Sequence, residues 1–315
     1  MSFLPDLERL TGATIITTIS DGFQNKVFEA RWNGRKIIIR LSEKSRRPLE
    51  QLLAEMEWLD YLAGQGIRVA KVIHHPIEIT DDDIPYFAVF FEHTDGRPVN
   101  VQNLSEWNEE FFERWGKGIA LLHNAGAPKL SRPTWLWEND LEEKTERTPW
   151  LKIAYDKIIN NMEEFNHDQH CFGLIHNDLH TGNFHIVKKE VVLFDFDDCT
   201  YHFYAQDLAV SIYHALWTGM SYYPEWNEFP DCFLASFLKG YSSERALQPD
   251  MFEQLLECLK MREVFLFTLF REKWNLESIE EWQRLKLIDL EESIQKGKVP
   301  FEKELLTYKG LFYAK

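Results

Sequence analysis

Leu174-Ile-His-Asn-Asp-Leu-His-Thr-Gly-Asn183, followed by Val191-Val-Leu-Phe-Asp-Phe-Asp-Asp198, decides how this chain is read. Asp178 stands two residues after His176, Asn183 five residues after Asp178, and Asp195 at the end of an apolar run with the composition of a β-strand. Phosphoryl transfer needs such a set: one carboxylate accepts the proton of an attacking hydroxyl, while an Asn and a second carboxylate hold the cations that neutralise the moving phosphate. Other readings fit less well. His176 and His180, four apart, would share a helix face as zinc ligands, but the flanking Cys171-Phe-Gly-Leu-Ile and Thr181-Gly-Asn read as strand and loop. A calcium loop starting at Asp195 would need Gly where Thr200 stands and Glu at its twelfth position. Asn, Asp and Gly also crowd ordinary turns; the joint spacing, not any one residue, carries the signal.

H-x-D-x-x-x-x-N is the spacing of a kinase catalytic loop, and Asp195-Phe-Asp197 stands where kinases carry Asp-Phe-Gly. The residues before it should then supply a phosphate-covering turn, a basic strand residue and an acidic helix residue. Ser20-Asp-Gly-Phe-Gln-Asn25 offers the turn, with Gly22, Phe23 and Asn25 as nucleotide-side candidates. Arg40, near the end of Lys36-Ile-Ile-Ile-Arg-Leu41, would reach the α- and β-phosphates, and Glu55 would pair with it. By themselves Arg40 and Glu55 read as an ordinary surface ion pair; the loop downstream is what favours the nucleotide-side reading. No G-x-x-x-x-G-K-[ST] occurs, which excludes the P-loop type of nucleotide site.

The chain has 315 residues, 44% of them hydrophobic, with 23 Phe and 11 Trp: enough for two lobes and a large core. Four cysteines without regular spacing fit reduced thiols in a cytosol, and the N-terminus lacks the basic and apolar segments of a signal peptide. A net charge of −16 opposes nucleic acid and anionic membrane surfaces and would favour a cationic acceptor, although acidic surfaces also serve solubility.

Strand composition marks residues 13–19, 26–32, 35–41, 69–74 and 85–91, with Asn33-Gly34 as a hairpin turn. Pro48 opens a helix carrying Leu49, Leu52, Leu53, Met56, Leu59 and Leu62. After Asp95-Gly96-Arg97-Pro98, helical periodicity covers 104–124, 150–166, 206–217, 229–241, 251–274 and 278–296, with 127–148 as a connection. The expected architecture is α+β: residues 1–93 as a small antiparallel β-rich lobe with one helix, 94–315 as a larger helical lobe carrying the loop.

From about Thr18 to Leu216 the chain resembles the aminoglycoside phosphotransferase and choline kinase-like family, enzymes of protein-kinase-like fold. Asp21-Gly-Phe-Gln-Asn25, Glu55-Met-Glu-Trp-Leu59, Leu121-Leu-His123, the 176–183 loop, Phe194-Asp-Phe-Asp-Asp198 and Gln206-Asp-Leu-Ala209 carry the resemblance. It implies an ATP- and Mg2+-dependent phosphotransferase whose acceptor is a small-molecule hydroxyl. Asp178 would be the catalytic base, Asn183 and Asp195 Mg2+ ligands, Asp207 a buried brace, and His176 the residue that orients the loop. The backbone around Phe91, Glu92 and His93 would receive adenine. Asp197 and Asp198 are acceptor-side candidates, as cation binders or metal helpers, or else cap the turn at Cys199-Thr200. Trp217, Tyr222, Tyr223 and Trp226 read as a cation–π cage or as packing. Arg40 stands where protein kinases use Lys, and Asp207 follows Asp195 by only twelve positions, too few for a long activation loop. Two alternatives stay open: a bacterial stress-response Ser/Thr kinase of the same fold, and a catalytically silent nucleotide-binding module.

Overall fold

The computed structural model describes residues 4–21, 25–81 and 83–313. The first lobe holds α1 (Leu4–Thr11), β1 (Thr14–Asp21), β2 (Lys26–Trp32), β3 (Arg35–Glu43), α2 (Leu49–Gly64), β4 (Val72–Asp81) and β5 (Ile84–Glu92). Its strands form one antiparallel sheet in the order β1-β2-β3-β5-β4. Two-residue alternation sorts the side chains. Ile37, Ile39 and Leu41 of β3, with Tyr86, Ala88 and Phe90 of β5, bury one face together with Leu7 of α1. Phe87, Val89 and Phe91 alternate to the other face and join the core that α2 and the second lobe share. Arg40 is buried on that side, between residues that face the first. Asn33 and Gly34 turn the β2–β3 hairpin with φ of 49° and 77°, the left-handed pair such a turn demands.

The second lobe holds α3 (Glu109–Ala125), α4 (Leu136–Thr145), α5 (Pro149–Glu163), β6 (Phe172–Ile175), β7 (Phe184–Val187), β8 (Glu190–Leu193), β9 (Thr200–Phe203), α6 (Tyr204–Tyr222), α7 (Phe229–Ser242), α8 (Pro249–Lys273), α9 (Glu281–Lys296) and α10 (Glu302–Tyr308), then a 3-10 turn, Lys309–Phe312. β6 pairs antiparallel with β9, so the chain leaves and returns at one place, and the β7–β8 hairpin rises between them. The intervening residues 176–199 are thereby tied at both ends. Among the described residues no helix is long and apolar enough to cross a membrane.

Four expectations are corrected. Residues 127–148 are not a plain connection: α4 forms there because Trp137 and Leu141 find buried sites. α1 is too short for periodicity to reveal and is held by burial of Leu7. α3 begins at Glu109 rather than 104, because the Asn108 side chain accepts from the Phe111 amide and caps it there. β4 runs on to Asp81, absorbing His75-Pro76 as an irregularity in its pairing with β5.

Candidate active site

Asp207, at the start of α6, fixes the loop from behind. Fully buried, its carboxylate accepts from the backbone amides of His176 at 3.1 Å and Asn177 at 2.7 Å, and lies 3.1 Å from His123 Nε2. This holds Asn177 at a φ of 74°, a left-handed conformation that few residues other than glycine adopt unaided. His176 faces inward. Its Nδ1 accepts from the Asp178 amide at 3.3 Å, which leaves Nε2 to donate to the Phe194 carbonyl at 3.0 Å, while its ring packs on Phe196. It binds the 176–183 loop to the 194–198 segment and touches no open space.

Asp178 is held from three sides. Asn183 Nδ2 donates to its backbone carbonyl at 2.8 Å and to Oδ2 at 3.2 Å, His180 Nε2 lies 3.4 Å from Oδ2, and Arg262 Nη2 lies 3.4 Å from Oδ1. Burial alone would raise its carboxyl pKa, but His180 and Arg262 outweigh that and hold it well below the usual carboxylate range. With Nδ2 so engaged, Asn183 keeps Oδ1 for a cation. Asp195 sits at a φ of 63°, 41% exposed at the side chain, with Oδ1 3.2 Å from Arg40 Nη1. Its place in the cleft beside Asp197 and Glu55 pushes it up to about 6 despite Arg40. Such a carboxylate gains from a nearby cation.

Arg40 and Glu55 are not a surface pair. They are 3% and 1% exposed and joined by two parallel bonds, Nη1 to Oε1 at 2.9 Å and Nη2 to Oε2 at 2.6 Å. One guanidinium thus links β3, α2 and Asp195.

Asp197 and Asp198, the acceptor-side candidates, line the cavity but are buried and already ion-paired. Asp197 lies 2.8 Å from Arg46 Nη1 and 3.3 Å from Arg47 Nε, and accepts from Asn25 Nδ2 at 3.1 Å. Asp198 accepts from Arg46 at 3.1 Å, from Arg47, and from Trp137 Nε1 at 3.0 Å. Asn25 therefore faces Asp197. Gly22 and Phe23 lie outside the described residues. At the other end, Phe91, Glu92 and His93 line the same cavity as Asp178, and the Glu92 amide is committed to the Lys71 carbonyl at 2.8 Å. The proposed aromatic cage divides. Trp217 lines the cavity, whereas Tyr222 is exposed and Tyr223 packs with Trp226 elsewhere.

Sequence reading missed Arg46, Arg47, Trp137, His214 and Arg262. Arg46-Arg47 ahead of Pro48 is a visible basic pair in the sequence, but the carboxylates it meets lie some 150 positions further on. Arg262, inside the apolar stretch of α8, was the one available hint, since a buried arginine demands compensation. Its Nη2 lies 2.5 Å from His214 Nε2, and its guanidinium stacks 4.8 Å from the Trp137 ring centre.

A small antiparallel sheet over a helical lobe, with a carboxylate, an amide and a second carboxylate converging on the cleft between them, defines a kinase-like phosphotransferase. The family model described as "Phosphotransferase enzyme family" matches residues 15–260, and the chain belongs to that family. The chain is 27% identical over 289 residues to amicoumacin kinase of Bacillus subtilis (strain 168), covering 87% of this chain and 85% of that protein. Among solved structures, amicoumacin kinase hAmiN in complex with AMP-PNP, Ca2+ and Ami superposes with a TM-score of 0.83 at 25% identity, over 97% of this chain and 96% of that one. A microcompartment-associated aminopropanol kinase shares the fold, with a TM-score of 0.70 at 19% identity over 99% of both chains.

Proposed function

We propose that this enzyme transfers the γ-phosphate of ATP, with Mg2+, to a hydroxyl of a small molecule, an amicoumacin-type antibiotic being the first acceptor to test. The observation that carries the reading is that Asp178, Asn183 and Asp195 line one cavity of about 850 Å3 together with Arg40 and the 91–93 segment. The donors left to a cation, an amide oxygen and a carboxylate, are hard oxygens that fit Mg2+. Among the described residues no group of three or more His, Cys, Asp or Glu could hold a metal. That suits Mg2+, which takes few protein ligands and completes its shell with phosphate and water. When bound, it would offset the charge of the transferring phosphate.

Asp178 accepts the proton as the acceptor oxygen attacks the γ-phosphorus, the bond to the β–γ bridging oxygen breaks, and ADP leaves. Arg262, His180 and Asn183 keep the carboxylate ionised and aimed. Arg40, anchored by Glu55, would meet the nucleotide phosphates. The likeness to amicoumacin kinase over most of both chains supports the acceptor class. The test is label transfer from γ-labelled ATP to amicoumacin, with and without EDTA. Mg2+-dependent label on a hydroxyl is expected; label on protein serine or threonine, or none on any small hydroxyl compound, contradicts the reading.

A further inference from the structure

The two ends of the cavity differ in chemistry. Val27, Ile38, Ala70 and Phe91 line the end beside the 91–93 segment. Beyond Asp178 the other end is walled by Trp137 from α4, Trp217 from α6, Phe265 and Phe270 from α8, and Trp274 and Trp282. Four of the chain's 11 tryptophans thus meet at one end of one cavity. Core filling does not account for them all, since Trp282 at the start of α9 is 53% exposed. The rings are ordered: Phe270 and Trp274 stack with centres 4.1 Å apart and planes within 5°, and Trp282 stands edge-on to Trp274 at 5.6 Å.

Such a wall could hold an ammonium group over its ring faces. Here, however, the protein's own cations lie on three of the rings. Arg262 is 4.8 Å from the Trp137 centre and 4.9 Å from that of Phe265, and Lys286 is 4.9 Å from that of Trp217. Asp197 and Asp198, which could have favoured a cation, are neutralised by Arg46 and Arg47. The Phe270–Trp274–Trp282 surface presents stacked and edge-on rings, with the Trp282 indole fixed at its rim by Nε1 donating to the Glu280 carboxylate at 2.7 Å.

We infer that this end is a subsite for a flat, unsaturated, uncharged ring on the acceptor, and that it discriminates against polycationic sugars. This rests on the proposed function, since it places the ring on the same molecule as the hydroxyl that reaches Asp178.

The test uses two probes with the full-length protein and ADP: 2-(1-naphthyl)ethanol, an aromatic alcohol, and kanamycin, a polycationic sugar. Binding is measured by calorimetry on the wild type and on Trp282→Leu and Trp274→Leu. Trp282 is half-exposed, so its substitution spares the core, and unchanged ADP affinity reports an intact fold. The inference predicts that the naphthyl probe binds more tightly than kanamycin and loses about tenfold in affinity in each variant. It is overturned if kanamycin binds more tightly, if neither probe binds, or if both variants keep wild-type affinity for the naphthyl probe. Naphthyl binding lost in the variants, with no phosphate transferred to any acceptor, would sink the proposed function and leave the subsite standing.

Discussion

At the scale of single residues, each carboxylate at the site is set by its neighbours. Asp178 and Asp195 begin as the same side chain, yet cations clamp the first into its ionised form while its place in the cleft and its acidic neighbours make the second costly to ionise alone. Arg262 does part of that clamping from 84 residues away in sequence. Replacing it with Gln frees Oδ1 of Asp178, and steady-state kinetics should show kcat falling by about 10- to 100-fold with the KM for ATP unchanged. Arg262→Lys, which restores the charge, should recover part of the loss. Away from these two, another carboxyl departs from the usual range: burial pushes Glu263 up to about 7, despite the Ser293 hydroxyl donating to it at 2.5 Å. Its folded pKa lies above its unfolded one, so its contribution to stability is complete below pH 4.5 and is lost as pH rises toward 7. Glu263→Gln should flatten the fall in stability across that window, by roughly 1.4 kcal/mol per pH unit, in urea titrations at a series of pH values.

At the scale of elements, two contacts position the machinery. The Arg40–Glu55 pair ties β3 to α2 and reaches Asp195. Arg40→Met would leave Glu55 buried without its partner and should cost about 3–5 kcal/mol, read as a lowered denaturation midpoint together with weakened ATP binding. The packing of α3 on α7 depends on glycine at the crossing. A Cβ on Gly116 would fall 2.0 Å from the Phe237 carbonyl oxygen, and one on Gly240 1.9 Å from that of Glu113. Gly116→Ala should therefore destabilise by about 3 kcal/mol in urea unfolding. Elements with strong periodicity or turn chemistry, such as α2, α7, α8 and the Asn33–Gly34 hairpin, were readable from sequence because local preference and burial agree. α4 and α1 were not: each is short, and each forms because the rest of the molecule offers a site for Trp137 or Leu7.

At the scale of the whole molecule, the site divides by how far apart its parts lie in the chain. The residues read from sequence within 176–207 act through hydrogen bonds inside one stretch, and their spacing is the signal. Arg46 and Arg47 reach Asp197 and Asp198 across some 150 positions, and the tryptophan wall gathers α4, α6, α8 and the residues up to α9. No local pattern encodes those meetings; they exist only once the lobes have packed. This is why the 176–207 arrangement was legible in the sequence while the pairing of Asp197 and Asp198 with Arg46 and Arg47, and the tryptophan wall, were not. The central claim is that Asp178 is the base placed between a bound nucleotide and an acceptor hydroxyl. The most direct measurement compares wild type and Asp178→Asn for both Mg2+-ATP binding and phosphate transfer to the acceptor. The account predicts unchanged ATP affinity and transfer slowed by about a thousandfold; transfer at the wild-type rate in the variant would contradict it.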